Sequence, residues 1–188
     1  IDVRTEASVY ARLPQYEFAT FKFYGLPPAA REEALLACRS LIEAHGLEEV
    51  VAVDLKHRHF DMPDDCVLLE AQSVGERESR MRPSPRGAVP MTPFAFAAVD
   101  GQWVPYEFVE RGCPAAEEGL EAVLRAAGFG ADLQRRLEER GLEDILGFHI
   151  IHRGHLDGEA RGTIETPGRT EQELLVRPYT ERLFRELG

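Results

Sequence analysis

The segment "FAFAAVDGQWVPYEFVE", residues 94–110, gives the clearest indication of the fold. Two runs rich in aromatic and aliphatic residues flank the dipeptide Asp100-Gly101, which suits a type I′ turn. The segment therefore predicts a β-hairpin. Pro105 has no N–H group to donate to a neighbouring strand, so it marks an edge or a bulge in the second strand.

Outward from the hairpin, the chain shows patterns of both strands and helices. Helices are predicted from Pro114 to Gly128 and from about Asp132 to Arg140, and a third begins at Pro27-Pro28 and stops at Gly46. Strands are predicted over residues 49–60, 66–74 and 147–152. The aromatic residues of segment 8–26 predict one or two further strands, interrupted near Pro14.

The remaining segments are more weakly patterned. Residues 75–90 contain four arginines and three prolines, which predicts a long loop. Short strands are predicted over residues 162–165 and 173–176, and a final short helix would carry Leu183, Phe184 and Leu187.

There is no internal repeat and no regular alternation of strand with helix. We therefore expect an α+β fold, with a mostly antiparallel sheet of about six to eight strands and helices packed on one face. With 188 residues, the chain is expected to form a single globular domain, residues 1–188.

The net charge of −11 disfavours nucleic acid and anionic membranes as partners, because both require a concentrated basic surface. No apolar run approaches the roughly 20 residues that span a bilayer, and "IDVRTEASVY" has no signal-peptide pattern. Cys38, Cys66 and Cys113 form no C-x-x-C pair, so a disulfide framework or a cysteine zinc site is not expected, and Cys38 fits the apolar face of a helix. An acidic protein of the reducing cytoplasm is the expectation.

Motifs for common cofactors are missing. The chain contains neither G-x-x-x-x-G-K-[ST] nor a G-x-G-x-x-G in the right context, so no nucleotide cofactor is expected. The absence of a G-x-S-x-G elbow disfavours serine-hydrolase chemistry.

The stretch "VVAVDLKHRHFDM", residues 50–62, holds the strongest functional signal. Because side chains alternate along a strand, His57 and His59 continue the apolar face of Val51, Val53 and Leu55. Lys56 and Arg58 would take the solvent side. This pattern predicts a pair of histidines that line a pocket at the mouth of the sheet.

Two histidines in an H-x-H pair on a strand can chelate one divalent metal, with zinc or non-haem iron as the candidates. A third ligand would come from another strand; the candidates are His149, His152, Glu70, Glu107 and Glu165. His149 and His152 would point to opposite faces of a regular strand, so at most one of them joins the first site without a bulge.

Two other interpretations of the histidines stay open. His57 and His59 could be an acid–base pair in a metal-free pocket, since imidazole titrates near neutral pH. They could also be structural or surface residues. Glu107 is a further catalytic candidate, because alternation places it on the face of Trp103, and a buried carboxylate there would need a histidine or a metal as partner.

Candidate substrate-binding residues lie in the arginine-rich segment and on the hairpin. Arg80 and Arg82 could clamp an acidic group of a substrate, with the loop as a lid, although a solvated loop explains them as well. Trp103 and Tyr106 could contact a ligand or belong to the core.

Together these patterns predict a small soluble enzyme that acts on a small polar or acidic molecule in a histidine-lined, metal-binding pocket. The alternative is a non-catalytic ligand-binding or protein-interaction domain whose aromatic hairpin contacts a partner. The sequence leaves the oligomeric state open, including a homo-oligomer.

Overall fold

One continuous eight-stranded sheet organises the protein. The computed structural model describes residues 1–3, 8–156 and 163–178. The strands are β1 (Val51–Leu55), β2 (Cys66–Ser73), β3 (Glu78–Pro85), β4 (Met91–Val99), β5 (Gln102–Glu110), β6 (Leu146–Ile150), β7 (Thr163–Pro167) and β8 (Leu174–Pro178). Their order across the sheet is β1-β6-β4-β5-β2-β3-β8-β7, with β2 and β5 parallel and every other neighbouring pair antiparallel. The predicted α+β class is confirmed.

The helices within the described ranges are α1 (Ser8–Arg12), α2 (Tyr16–Tyr24), α3 (Pro28–Ala44), α4 (Pro114–Arg125) and α5 (Phe129–Glu138). The last three confirm the predicted helices, and α3 and α4 have proline in their first turn. None of the five has the length and apolar character to cross a membrane.

The predicted hairpin is confirmed as β4 and β5. Asp100 and Gly101 have φ angles of 51° and 77°, the left-handed values that a type I′ turn requires at both central positions. The register then shifts beside Pro105: Ala95 faces Glu107, whereas Phe96 faces Pro105. This irregularity is the bulge that Pro105 indicated.

The main core lies between the sheet and the helices that cover it. On β6, Phe148 packs against Phe96 of β4, Trp103 of β5 and Phe129 of α5, with ring centroids 4.8, 5.0 and 5.5 Å away. The three cysteines are free and buried, and Cys38 is a core residue of α3 as expected.

The predicted strands in segment 8–26 are wrong, because this segment forms α1 and α2. In α2 the residues that turn inward are Ala19 and Phe23, which lie one helical turn apart. The other aromatic side chains of α2, among them Phe18 and Phe21, are exposed. Their spacing in the sequence resembles the alternation of a strand, which led to the wrong prediction. In the structure these side chains do not contribute to the core.

The predicted loop at 75–90 is also wrong over half of its length, because residues 78–85 form β3. Ser79 and Met81 are buried where β3 lies between β2 and β8. Pro83 and Pro85 follow the last residue that pairs with β8, so β3 has only one neighbour there and needs no donor on the other side.

The strands predicted near residues 162–165 and 173–176 are confirmed as β7 and β8. The predicted helix with Leu183, Phe184 and Leu187 lies outside the described residues.

Candidate metal centre

Side chains from the two edges of the sheet meet at one point. His57 and His59 directly follow β1, which is one edge strand, and Glu165 lies on β7, the other edge strand. His59 Nε2 is 2.8 Å from Glu165 Oε2, His57 Nε2 is 3.5 Å from the same oxygen, and the two Nε2 atoms are 2.8 Å apart. The sheet is therefore curled enough for its edges to share a cluster of side chains.

The end of β1 orients His57. The strand stops at Leu55, and the Nδ1 of His57 lies 2.7 Å from the carbonyl oxygen of Leu55. Because a carbonyl oxygen only accepts, Nδ1 carries the proton, and the opposite nitrogen faces the cluster. Metal-binding histidines are held in the same way, with the second ring nitrogen donating to a carbonyl or a carboxylate.

His59 is positioned by aromatic neighbours. Its backbone N–H donates to the hydroxyl of Tyr10 at 3.2 Å. The ring of Tyr16, from the start of α2, stacks on the His59 ring and meets the His57 ring edge-on, at centroid distances of 5.1 and 5.0 Å. Helix α2, which the sequence did not predict, thus supplies one wall of the site.

The triangle of His57 Nε2, His59 Nε2 and Glu165 Oε2 has the size of a metal site. Among the described residues, His57, His59 and Glu165 are the one group of three or more His, Cys, Asp or Glu whose possible ligand atoms all lie within 4.8 Å of one another. Zinc–ligand bonds of about 2.0–2.1 Å in a tetrahedron place neighbouring ligand atoms roughly 3.3 Å apart. The observed separations, from 2.8 to 3.5 Å, bracket that value.

The charges of the cluster are coupled. Burial disfavours the His57 cation, but the hydrogen bond and the charge of Glu165 outweigh burial and raise the pKa of His57 to about 9. Burial would raise the pKa of Glu165, yet its hydrogen bonds to His57 and His59 hold that pKa well below the usual range. Glu165 is therefore ionised, as a metal-binding carboxylate must be.

The triangle lies on the wall of a pocket of about 820 Å³. Tyr16, Tyr24, His149 and Arg153 also line this pocket. A volume of this size accommodates a small ligand. The three ligand atoms would leave coordination positions that face this space.

His149 lines the same pocket, on a different part of its wall. Strand β6 is the neighbour of β1, and His149 lies opposite both Ala52 and Ala95, so these small side chains flank it. Its Nδ1 is 3.3 Å from Asp54 Oδ2. The structure thus brings His149 to the pocket but pairs it with Asp54 rather than with the triangle.

His152 is buried and also pairs elsewhere. Its Nδ1 lies 2.8 Å from the carbonyl oxygen of Ile150, and its Nε2 lies 3.3 Å from Glu70 Oε2. It is therefore not one of the three converging ligands, although it contributes to the pocket lining.

Glu107 lies on the same face of the sheet as His149, because Ala95 is opposite both residues. Burial, together with the nearby charge of Glu165, raises the pKa of Glu107 to about 8. The half-buried carboxyl group is therefore mostly protonated at neutral pH.

The prediction that Glu107 lies on the same face of the sheet as Trp103 is wrong. The bulge at Pro105 breaks the alternation, and Trp103 packs against Phe148 on the opposite face.

The structure does not bring Arg80, Arg82, Trp103 or Tyr106 to this pocket. Arg80 forms an ion pair with Glu78 at 3.0 Å, and Arg82 is exposed on β3. Trp103 and Tyr106 are 3% and 6% exposed and belong to the core. The Nε1 of Trp103 donates to the carbonyl oxygen of Gly130 at 2.7 Å.

Arg153 is a pocket residue that the sequence analysis missed. Among the described arginines and lysines, it is the one that lines this pocket. Its position directly after His152, a candidate ligand, was the available signal. The predicted solvent position of Lys56 is wrong as well: the residue is 6% exposed, and its Nζ donates to the carbonyl oxygen of Ala98 at 3.5 Å.

Comparisons with known proteins do not add to this geometry. No family model matches the chain, and neither the search of curated proteins nor the search of solved structures found a match.

Proposed function

We propose that this protein is a small metal-dependent enzyme that acts on a small polar or acidic molecule. The observation that carries the proposal is the convergence of His57 Nε2, His59 Nε2 and Glu165 Oε2 within 3.5 Å of one another on the wall of a pocket. Three Lewis-basic atoms at such distances require a cation or shared protons between them.

The donor set narrows the choice of metal to zinc or iron. Two imidazoles and one carboxylate bind zinc in some catalytic sites, and the same set binds non-haem Fe(II) in the 2-His-1-carboxylate arrangement. In both cases the three protein ligands leave positions open to water or substrate. A divalent ion here would act as a Lewis acid toward an oxygen of the ligand.

Glu107 and His149 are the proposed acid–base groups around this centre. A carboxyl group with a pKa of about 8 is able to donate a proton at neutral pH. His149, beside Asp54, resembles an imidazole oriented by a carboxylate, which is a common arrangement for a general base. Both residues lie on the face of the sheet that carries the pocket.

The second candidate function is a metal-free acid–base site built from the same cluster. The 2.8 Å separation of the two Nε2 atoms is a normal length for a hydrogen bond and favours a shared proton. The proposed ligand in either case is a small molecule of the cytoplasm, without nucleic-acid or membrane partners.

The test is elemental analysis of the purified full chain by mass spectrometry, followed by titration of chelator-treated protein with Zn²⁺ and with Fe²⁺ under anaerobic conditions. We expect one equivalent of metal in the wild type and none in His57→Ala/His59→Ala. His45→Gln is the matched control, because His45 pairs with Asp132 between α3 and α5, away from the pocket. Folded wild-type protein that binds neither ion above the level of the double variant would refute the metal centre and leave the metal-free site.

A further inference from the structure

Behind His152 and Arg153, two residues of the pocket wall, lies a buried carboxylate that is saturated with donors. Glu70 on β2 is fully buried. Its Oε1 accepts from Ser79 Oγ at 2.8 Å and from Gln72 Nε2 at 3.3 Å. Its Oε2 accepts from Arg153 Nε and Nη2, at 2.9 and 2.7 Å, and lies 3.3 Å from His152 Nε2. An acceptor with this many donors is an ionised carboxylate.

The two ring nitrogens of His152 both face acceptors. Its Nδ1 faces the carbonyl oxygen of Ile150 and its Nε2 faces Glu70, and both partners can only accept. The shorter contact, 2.8 Å to the carbonyl oxygen of Ile150, fixes the orientation of the ring beside Glu70.

The Glu70 carboxylate therefore lies between the Arg153 guanidinium and the His152 ring. Arg153 and His152 line the same pocket as His57, His59 and Glu165. His152 is 1% exposed and Arg153 is 19% exposed at the side chain, so Arg153 is the one that a ligand can reach. The guanidinium also packs over the ring of Phe94, 5.3 Å from its centroid, which restricts its orientation.

A guanidinium on the wall of a pocket favours an anion in the adjacent space. A carboxylate is the anion that suits this guanidinium, because Nε and Nη2 already donate to Glu70 and a singly charged group needs only the Nη1 donors that remain. A phosphate group offers more oxygens and more charge than the accessible part of one arginine can satisfy.

We propose that Arg153, supported by Glu70 and His152, binds a carboxylate group of the substrate, and that the substrate is a small organic acid with a second oxygen donor for the metal centre. The second part of this inference, the oxygen donor of the substrate that reaches the metal centre, rests on the proposed function. The carboxylate site itself requires only the residues around Glu70. The role predicted for Arg80 and Arg82, which is to bind an acidic group of the substrate, is thus assigned to Arg153.

The test is calorimetric titration of the Zn²⁺-loaded full chain with succinate, acetate and inorganic phosphate. We expect succinate to bind more tightly than acetate, and phosphate to bind weakest. In Glu70→Gln/Arg153→Met, which removes the ion pair without leaving a buried charge alone, the affinity for succinate should fall about ten- to hundredfold. Arg80→Met is the matched control, since it removes an arginine of the sheet that does not line the pocket.

A second variant covers the case in which the double substitution prevents folding. Arg153→Lys keeps the charge but loses the planar fork, and we expect a smaller loss of succinate affinity in a variant that still unfolds cooperatively. Equal succinate affinity in the wild type and in a folded Arg153 variant would overturn the proposal. Tighter Arg153-dependent binding of phosphate than of succinate would overturn the assignment to carboxylates.

The failure of the metal centre can be told apart from the failure of this site. In His57→Ala/His59→Ala, the advantage of succinate over acetate should disappear, while the weaker binding of acetate still depends on Arg153. If the wild type binds no metal and acetate binding still depends on Arg153, the carboxylate site stands and the metal proposal fails. If the wild type binds metal but binds no carboxylate, the metal proposal stands and the carboxylate site fails.

Discussion

His59 Nε2 lies 2.8 Å from Glu165 Oε2, although the two residues are 106 positions apart and belong to opposite edges of the sheet. This contact has two roles. It completes the cluster of possible metal ligands, and it connects the ends of a curled sheet that are not joined by backbone hydrogen bonds within the described strands. Changes at Glu165 should therefore affect both metal affinity and stability.

We expect Glu165→Gln to lower the affinity for Zn²⁺ by more than about a hundredfold, because even the outer partners of metal ligands contribute about 10–100-fold. Glutamine keeps the shape of the side chain but loses its charge. Competition with a chromogenic zinc chelator measures the change. Glu110→Gln, at an exposed carboxylate that ends β5, is the control and should leave the affinity as it is.

The raised pKa of His57 predicts a pH-dependent stability of chelator-treated protein. An imidazole with a pKa of about 9 in the folded state and about 6.5 in the unfolded state stabilises the fold below pH 6.5. That contribution is lost as the pH rises from 6.5 through 9, and it amounts to about 3 kcal/mol at most. Urea unfolding of wild type and His57→Gln across this range should show a difference in unfolding free energy that shrinks as the pH rises. A difference that stays constant from pH 6 to pH 9.5 would be inconsistent with the charge of His57.

Features that depend on neighbouring residues could be predicted from the sequence. The turn at Asp100-Gly101 needs only two residues with positive φ, so the hairpin and its partner strands were predictable. The bulge followed from the missing N–H of Pro105. Helices α3 to α5 were predictable because their apolar residues repeat at helical spacing.

Features that depend on distant contacts could not be predicted in this way. Glu165 was one of five candidates for the third ligand, and only the curl of the sheet brings β7 to the end of β1. Segment 78–85 is polar, and it becomes a strand because β2 and β8 flank it. Arg153 carries no local motif, and its role depends on Glu70, which lies 83 positions away.

The raised pKa of Glu107 predicts a stabilising substitution. A carboxyl group whose pKa is about 8 in the folded state and about 4.3 in the unfolded state opposes folding once the unfolded chain ionises. We therefore expect Glu107→Gln to be more stable than the wild type above about pH 5, with a gain that grows up to about pH 8 and reaches on the order of 1 to 3 kcal/mol. Thermal unfolding at pH 4, 6 and 8 checks the trend. A loss of stability at pH 8 would show that the ionised carboxylate has a partner in the folded protein.

Gly147 on β6 tests how closely the strands beside the pocket approach one another. A Cβ atom at this position would lie 2.4 Å from the carbonyl oxygen of Phe96, and a backbone atom of a neighbouring strand cannot move away as a flexible side chain can. Gly147→Ala should therefore lower the unfolding free energy by about 1–3 kcal/mol or more, the usual cost of overpacking. It should also weaken metal binding, because Gly147 lies opposite Asp54, three residues before His57. Gly75→Ala is the matched control, since a Cβ there would have open space and its φ is not positive. Urea unfolding measures the unfolding free energy of both variants. Equal values for Gly147→Ala and Gly75→Ala would mean that β6 and β4 are farther apart at Gly147 than the structure places them.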